Sequence, residues 1–497
     1  MKKIFLLFVI SFIVLDIFAE AAFYQNVGSN QYNKIVFDFG SVNEWKRADT
    51  EIDGVSYGSK YVTDTWKLKG AEGYVWKNNG SDISSMTLYY RVYKQGSTAP
   101  SFSTINIPWH SNVGGDNQRW AKDDYDIDLL SLVTSGGTWV MEFYYSAATN
   151  GTNCLNPIFW SNSGSNYKLT FTSYIIQSSS AGNWNTGSNW HGSSVPTSSY
   201  SVRISNNIDV DIAAETHSML IGFGSVLSIE AEKSLTVNNT LTNNAGNSGL
   251  VLKSDATGNG SLIFSGTGPE ATIERYIELY SGSNNGWHLI SSSMSGNVTV
   301  AGTGFVPTSG DDDLFRFDEE FNEWKNYLVS TFAFAEGQGY LIARKTTTTG
   351  NITGTLLASD KTFTNLSFSS SQGNGWHLLG NPFSSAIKWN YGNWNLSNIA
   401  GTAKVLNASG NYVDMTEGII PLTNGFFVQV SDGTNSITIP TNAQIHNTTN
   451  NYKTVTSNLL VINVTNDANT FSDKNKVGIR QDASMDYDLE FDSHKLF

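Results

Sequence analysis

The segment Asp123-Asp124-Tyr125-Asp126-Ile127-Asp128 crowds four aspartates into six positions. The alternating Asp124, Asp126 and Asp128 would project oxygens from one face of a strand or loop, and hard oxygen ligands are what calcium prefers. Structural calcium is the one cofactor these residues suggest. The segment departs from the helix-loop-helix calcium loop, because Leu129 stands sixth where that loop needs glycine and Ser135 twelfth where it needs glutamate. A polar lead into a strand, capped by aspartates, is the competing reading.

Aromatic residues are the second candidate chemistry. Seven of the fourteen tryptophans, at 45, 66, 76, 109, 120, 139 and 160, fall in the first third of the chain. A core of that size needs only some of them, so others are expected to face solvent, where an indole stacks on the apolar C–H face of a sugar. Trp109, His110 and Trp120 sit in a Gly/Asn/Asp-rich stretch, and loops are where a rigid sandwich places recognition groups. They are the candidate ligand-binding residues, against the plainer reading that each ring belongs to the core.

No catalytic residue is assigned. The seven histidines are never closer than 26 residues, which excludes an HExxH zinc site. No GxGxxG, Walker loop or GxSxG elbow is present, and a chain without convincing helices offers no helix N-termini for phosphate. His288 and His377 occupy equivalent positions of a repeat described below, which favours a structural role. Asp311-Asp312-Asp313 and Glu319-Glu320 resemble the carboxylate pairs of glycoside hydrolases, but their clustering on an expected turn reads as a solvated loop or a weak calcium site.

The elements that would position these residues are strands. Only 15% of residues are charged, where about 25% is usual, and polarity is carried by Asn, Ser, Thr and Gly beside 13% aromatics, a mixture suited to strands and turns. The expected fold is all-β and multi-domain: an N-terminal β-sandwich, a short β-solenoid-like module and tandem repeated β-modules. Residues 1–21 have the basic head, apolar run and Ala19-Glu20-Ala21 site of a signal peptide. Residues 22–176 alternate aromatic, β-branched runs such as TLYYRVY and TWVMEFYY with turns, as a sandwich does. Residues 177–182 (QSSSAG) read as a linker. Short strands spaced by about ten residues over 183–276 suggest stacked rungs, with a second small sandwich as the alternative.

An internal repeat follows. GWHLISSSMSG at 286–296 recurs as GWHLLGNPFSS at 375–385, and the later glycine-led strands GYLIA and GFFVQV keep nearly the same offset. This sets two β-modules over 277–364 and 365–450, and an incomplete strand block over 451–497.

These motifs carry a resemblance. NWNTGSNWHGSSVPTSSYSVRI through ATIERY is similar to a rung-type module of Bacteroidetes surface proteins, and GWHLLGNPFSS with Trp389 resembles the segment upstream of the sorting domain in type IX secretion cargo. The resemblance implies export to the cell surface, while the sorting domain expected after such a block is missing from the pattern.

The net charge of −14 disfavours nucleic acid and anionic membranes as partners, and after leader removal no membrane insertion is expected. A single cysteine, Cys154, excludes an intrachain disulfide and a cysteine zinc cluster. The reading is therefore a non-enzymatic, adhesin-like protein, extracellular or on the outer cell surface, binding an extracellular glycan or surface polymer through its N-terminal sandwich. The alternative is an accessory or catalytic part of a secreted polysaccharide-degrading enzyme.

Overall fold

The computed structural model describes residues 21–23, 32–77, 82–115, 117–150, 154–280, 286–308, 312–391, 394–407, 410–447, 459–465 and 472–478. The expected leader, residues 1–20, lies outside them. The chain forms two compact units, 1–175 and 176–497, and the regular structure of the described residues is almost all strand.

The first unit pairs two sheets. One runs Asn43–Arg47, Lys34–Asp38, Lys67–Lys77, Gln118–Lys122, Trp109–Asn112, and the other Ser56–Lys60, Tyr167–Ser173, Gly137–Thr149, Ile83–Lys94, Ser103–Ile107. Pairing is antiparallel except between Ser56–Lys60 and Tyr167–Ser173. In the Gly137–Thr149 strand every second residue from Trp139 to Ala147 is buried, and Val140, Glu142 and Ser146 between them are covered as well. Gly73 lets the sheets approach, since a Cβ there would lie 2.4 Å from the Met86 sulfur.

The second unit begins with parallel ladders. Ile208, Leu227 and Leu250 align on one face, Val202, Met219 and Leu241 on a second, and Ala214, Leu235 and Leu262 on a third. Each apolar side chain thus buries against its counterpart in the next strand. An antiparallel sandwich would not give this register. The segment expected as a linker, 177–182, is instead part of this unit: Ile175–Gln177 and Gly182–Asn183 are strands. Ser178 is buried, its hydroxyl accepting the amides of Ser205 and Asn206. Small polar residues here satisfy backbone donors where a spacer was expected.

The two repeats form sheets of identical strand order. The first is His288–Ser291, Gly339–Ala343, Asp313–Asp318, Glu323–Asn326, and the second Trp376–Gly380, Gly425–Gln429, Ala403–Leu406, Tyr412–Met415. They are not independent domains. The first shares one apolar core with the ladders, running from Ile208 and Ile273 to Ile290, Leu314 and Ile342, and the second builds a cluster around Phe383, Trp389, Trp394 and Phe426.

The copies join along a seam with local two-fold character. Ile290 bridges Asn424 while Gln338 bridges Leu379, and Ser291 donates its amide to Thr423 O as Gly380 does to Gly337 O. In each case residue i of one copy meets residue j of the other and the reverse also holds, the signature of an isologous interface. In the tail, Leu459–Thr465 and Ser472–Gly478 pair antiparallel.

Candidate functional site

The edge strands of the first unit's two sheets frame an open cleft of about 570 Å³ lined by Phe39, Glu44, Lys46, Glu51, Tyr57 and Lys60, with Val55 and Ser56. Glu44 and Lys46 stand on the Asn43–Arg47 edge strand, Tyr57 and Lys60 on the Ser56–Lys60 edge strand, and Glu51 in the single turn Ala48–Ile52 that leads from one sheet to the other. Phe39 follows the Lys34–Asp38 strand. Edge strands lack a neighbour on one side, so their polar groups are free to meet a ligand.

The cleft is built on clustered rings. Phe39 and Tyr57 lie 5.8 Å apart at 21°, and the fully buried Trp66 backs both, 6.1 Å from Tyr57 and 6.5 Å from Phe39, with all three rings near-parallel. Trp66 is itself fixed edge-on by Phe171 at 4.7 Å. The front rings are therefore rigid, half-exposed plates, the form that recognises an apolar face at little entropic cost.

Polar groups surround the plates. Lys46 Nζ meets Glu44 at 2.8 Å, and that hydrogen bond raises the lysine pKa. Glu51 accepts the Arg47 amide at 2.6 Å. Burial, with Glu51 and Glu44 adding repulsion, pushes the Tyr57 phenol up to about 12, so it stays a neutral donor. The Lys60 ammonium lies 5.6 Å from the Phe39 ring centre and 5.4 Å from that of Trp66, and burial lowers its pKa. Ring faces flanked by donors and acceptors of both signs suit a polyhydroxylated ligand.

The residues singled out by sequence lie elsewhere. Trp109 is 53% exposed, but Trp120 is only 6% exposed and belongs to the core. It pairs with the inward-facing Gly73, and its indole N–H is held by Gln118; Trp120 is thus corrected from ligand contact to core residue. His110 is exposed and contacts Arg119 Nη1 at 3.2 Å. Arg119 also pairs with the buried Glu72, which Lys34 and Tyr74 engage as well.

The aspartates do not converge. Asp126 pairs with Lys67 and Lys69, Asp124 with Lys122, and Asp128 caps the Leu130 amide. Among the described residues no group of three His, Cys, Asp or Glu is placed to hold a metal ion.

Of the acidic residues of the first repeat, Asp312 and Glu319 are buried, while Glu320 is exposed and Asp311 lies outside the described residues. Asp312 is buried against the Thr308 hydroxyl and the Lys345 amide. Glu319 is buried too, and accepts from the Ser367 hydroxyl and the Ser369 and Gly375 amides. His377 Nε2 donates to Ser367 O at 2.8 Å.

Phe39, Tyr57 and Lys60 escaped the sequence reading, which weighted tryptophan over other rings. The available signal was weak: aromatic residues beside glycines, Gly40 and Gly58, that take positive φ.

No curated protein matches the chain. Residues 175–409, which run from the first ladder strand through the whole first repeat and into the second, match a family model described as Domain of unknown function (DUF8693).

Proposed function

We propose that this chain is an exported, non-enzymatic surface protein of adhesin type that binds an extracellular glycan through the cleft of its N-terminal unit. The observation that carries the reading is the rigid pair of half-exposed rings, Phe39 and Tyr57, ringed by Glu44, Lys46, Glu51 and Lys60. A pyranose stacks its C–H face on such plates while its hydroxyls bond the charged rim. Export to the outer surface rests on the apolar leader and on the resemblance of the repeats to type IX cargo. The second unit then serves as the stalk that carries the binding unit.

A glycan array on the mature full-length chain tests this, followed by calorimetry on the best ligand. Tyr57→Ala should weaken binding about tenfold, near 1.4 kcal/mol, as expected when an anchoring ring is lost. Trp109→Ala, outside the cleft, should leave affinity unchanged. Binding that survives Tyr57→Ala and Phe39→Ala but fails in Trp109→Ala would move the site to the opposite edge. Turnover of a polysaccharide would replace the binding reading with the enzymatic one.

A further inference from the structure

The strand Glu270–Ile277 alternates cleanly, with Ala271, Ile273, Arg275 and Ile277 on its buried face. A guanidinium therefore occupies an interior position of an otherwise apolar strand. Arg275 is 0% exposed and ranks among the largest fully buried side chains of the protein. Its one hydrogen bond among the described residues is from Nη2 to Asn424 Oδ1 at 3.4 Å, and Nε and Nη1 have none.

Three other arginines meet carboxylates. Arg91 pairs with Glu142, Arg119 with Glu72 and Arg344 with Asp312. For Arg275 no charged neighbour contributes, and burial alone draws its pKa down to about 9, so it stays a cation at neutral pH. A buried, uncompensated charge is among the costliest features an interior can hold.

The surroundings are polar on one side and apolar on the other. Asn424 belongs to the seam between the repeats, where its carbonyl accepts from Ser291 and Asn381. Across the strand pair, Arg275 faces Gly350, and the Phe305 ring occupies the space that a side chain at Gly350 would need.

We propose that Arg275 holds a small monovalent anion, with chloride as the fitting class, through an unpartnered N–H of its guanidinium, and that this ion locks the ladders to the seam of the repeats. One negative charge balances the guanidinium, whereas a polyvalent oxyanion would bring more charge and need more donors than this interior supplies.

Thermal and denaturant unfolding of the full chain in chloride against gluconate, at constant ionic strength, tests the assignment. Above the dissociation constant, each tenfold rise in chloride should lower the unfolding equilibrium constant about tenfold, and bromide should act alike. Arg275→Met should abolish the response. Equal stability in chloride and gluconate would overturn the proposal, as would an undiminished chloride response in Arg275→Met. If that variant does not fold, bromide-soaked crystals of the full chain decide: an anomalous peak at the guanidinium supports the site, and its absence there overturns it.

Discussion

The two repeats share strand order, seam hydrogen bonds and the Gly-Trp-His-Leu opening, yet they do different work. In the first copy Ile290, Leu314 and Ile342 merge with the ladder core. The second copy encloses a core of its own and buries Asn381 at the seam. The Asn381 amide donates to the carbonyls of Ser385, Ile420 and Pro421 and accepts from the Phe383 amide, whereas Ser292, the equivalent residue of the first copy, is a buried serine. Duplication thus fixed the pairing geometry, while the side chains at matching positions diverged according to what each copy packs against.

The sharpest asymmetry lies where the copies touch. Ser291 and Gly380 are equivalent positions that face each other, and a Cβ on Gly380 would lie 2.3 Å from the Ser291 Cβ and 2.7 Å from Gln338 O. Only one of the two can carry a side chain. Gly380→Ser should therefore cost about 3 kcal/mol in denaturant unfolding, as overpacking of a rigid core does. Ser291→Gly should cost about 1 kcal/mol, because it removes the hydroxyl that bonds Asn381 O and Asn424 O. The exchanged double variant should recover at least half of the Gly380→Ser loss. Strict additivity would show that the two positions do not meet as described.

That contact also marks how much the sequence discloses. The repeat is legible because GWHL recurs with its flanking strands, and alternation in runs such as TWVMEFYY shows which residues share a face. The seam is not legible, since its bridges join residues far apart in sequence, Ile290 with Asn424 by more than a hundred positions. The cleft is hidden for a similar reason: Phe39 follows a strand of one sheet, Tyr57 lies in a strand of the other, and the two meet only when the sandwich closes. Trp120 misled because the Gly/Asn/Asp-rich stretch around it suggests a loop, whereas Gln118–Lys122 is a strand whose Gln118 and Trp120 face inward. The acidic turn misled because local polarity does not reveal that Glu319 is covered by the loop of the other copy.

Glu319 supplies the second test of the comparison. It lies in the hairpin turn of the first copy, whereas the matching turn of the second reads Asn407-Ala-Ser-Gly-Asn411 and has no carboxylate. Burial pushes its carboxyl upward, but hydrogen bonds from Ser367, Ser369 and Gly375 prevail and hold it below the ordinary 4.5. A carboxyl depressed in the folded state adds stability above its unfolded value and loses it as pH falls through the folded one. Unfolding free energy should thus drop on acidification below about pH 4.5. Glu319→Gln should cost about 2 kcal/mol at neutral pH, in keeping with bonds to a charged acceptor, and should flatten this acid limb. An unchanged acid limb would assign the pH response to other carboxylates.

The smallest effect is expected where the copies match in backbone and differ in residue. Gly337 has φ +75° and Thr423 φ +55°, and each offers its carbonyl to the opposite copy. A β-branched residue in the left-handed region is strained by about 1–2 kcal/mol, so Thr423→Gly relieves what the first copy avoids. Against this stand the loss of a buried methyl, about 0.8 kcal/mol, and the greater freedom of glycine in the unfolded chain, about 0.5–1 kcal/mol. The terms nearly cancel, and the thermal midpoint should move by no more than about 2 °C. A loss above about 2 kcal/mol would show that the Thr423 side chain, whose hydroxyl bonds Leu422 O, holds the seam directly. A neutral outcome leaves the backbone carbonyl as the group both copies contribute, and makes the seam a property of main-chain geometry.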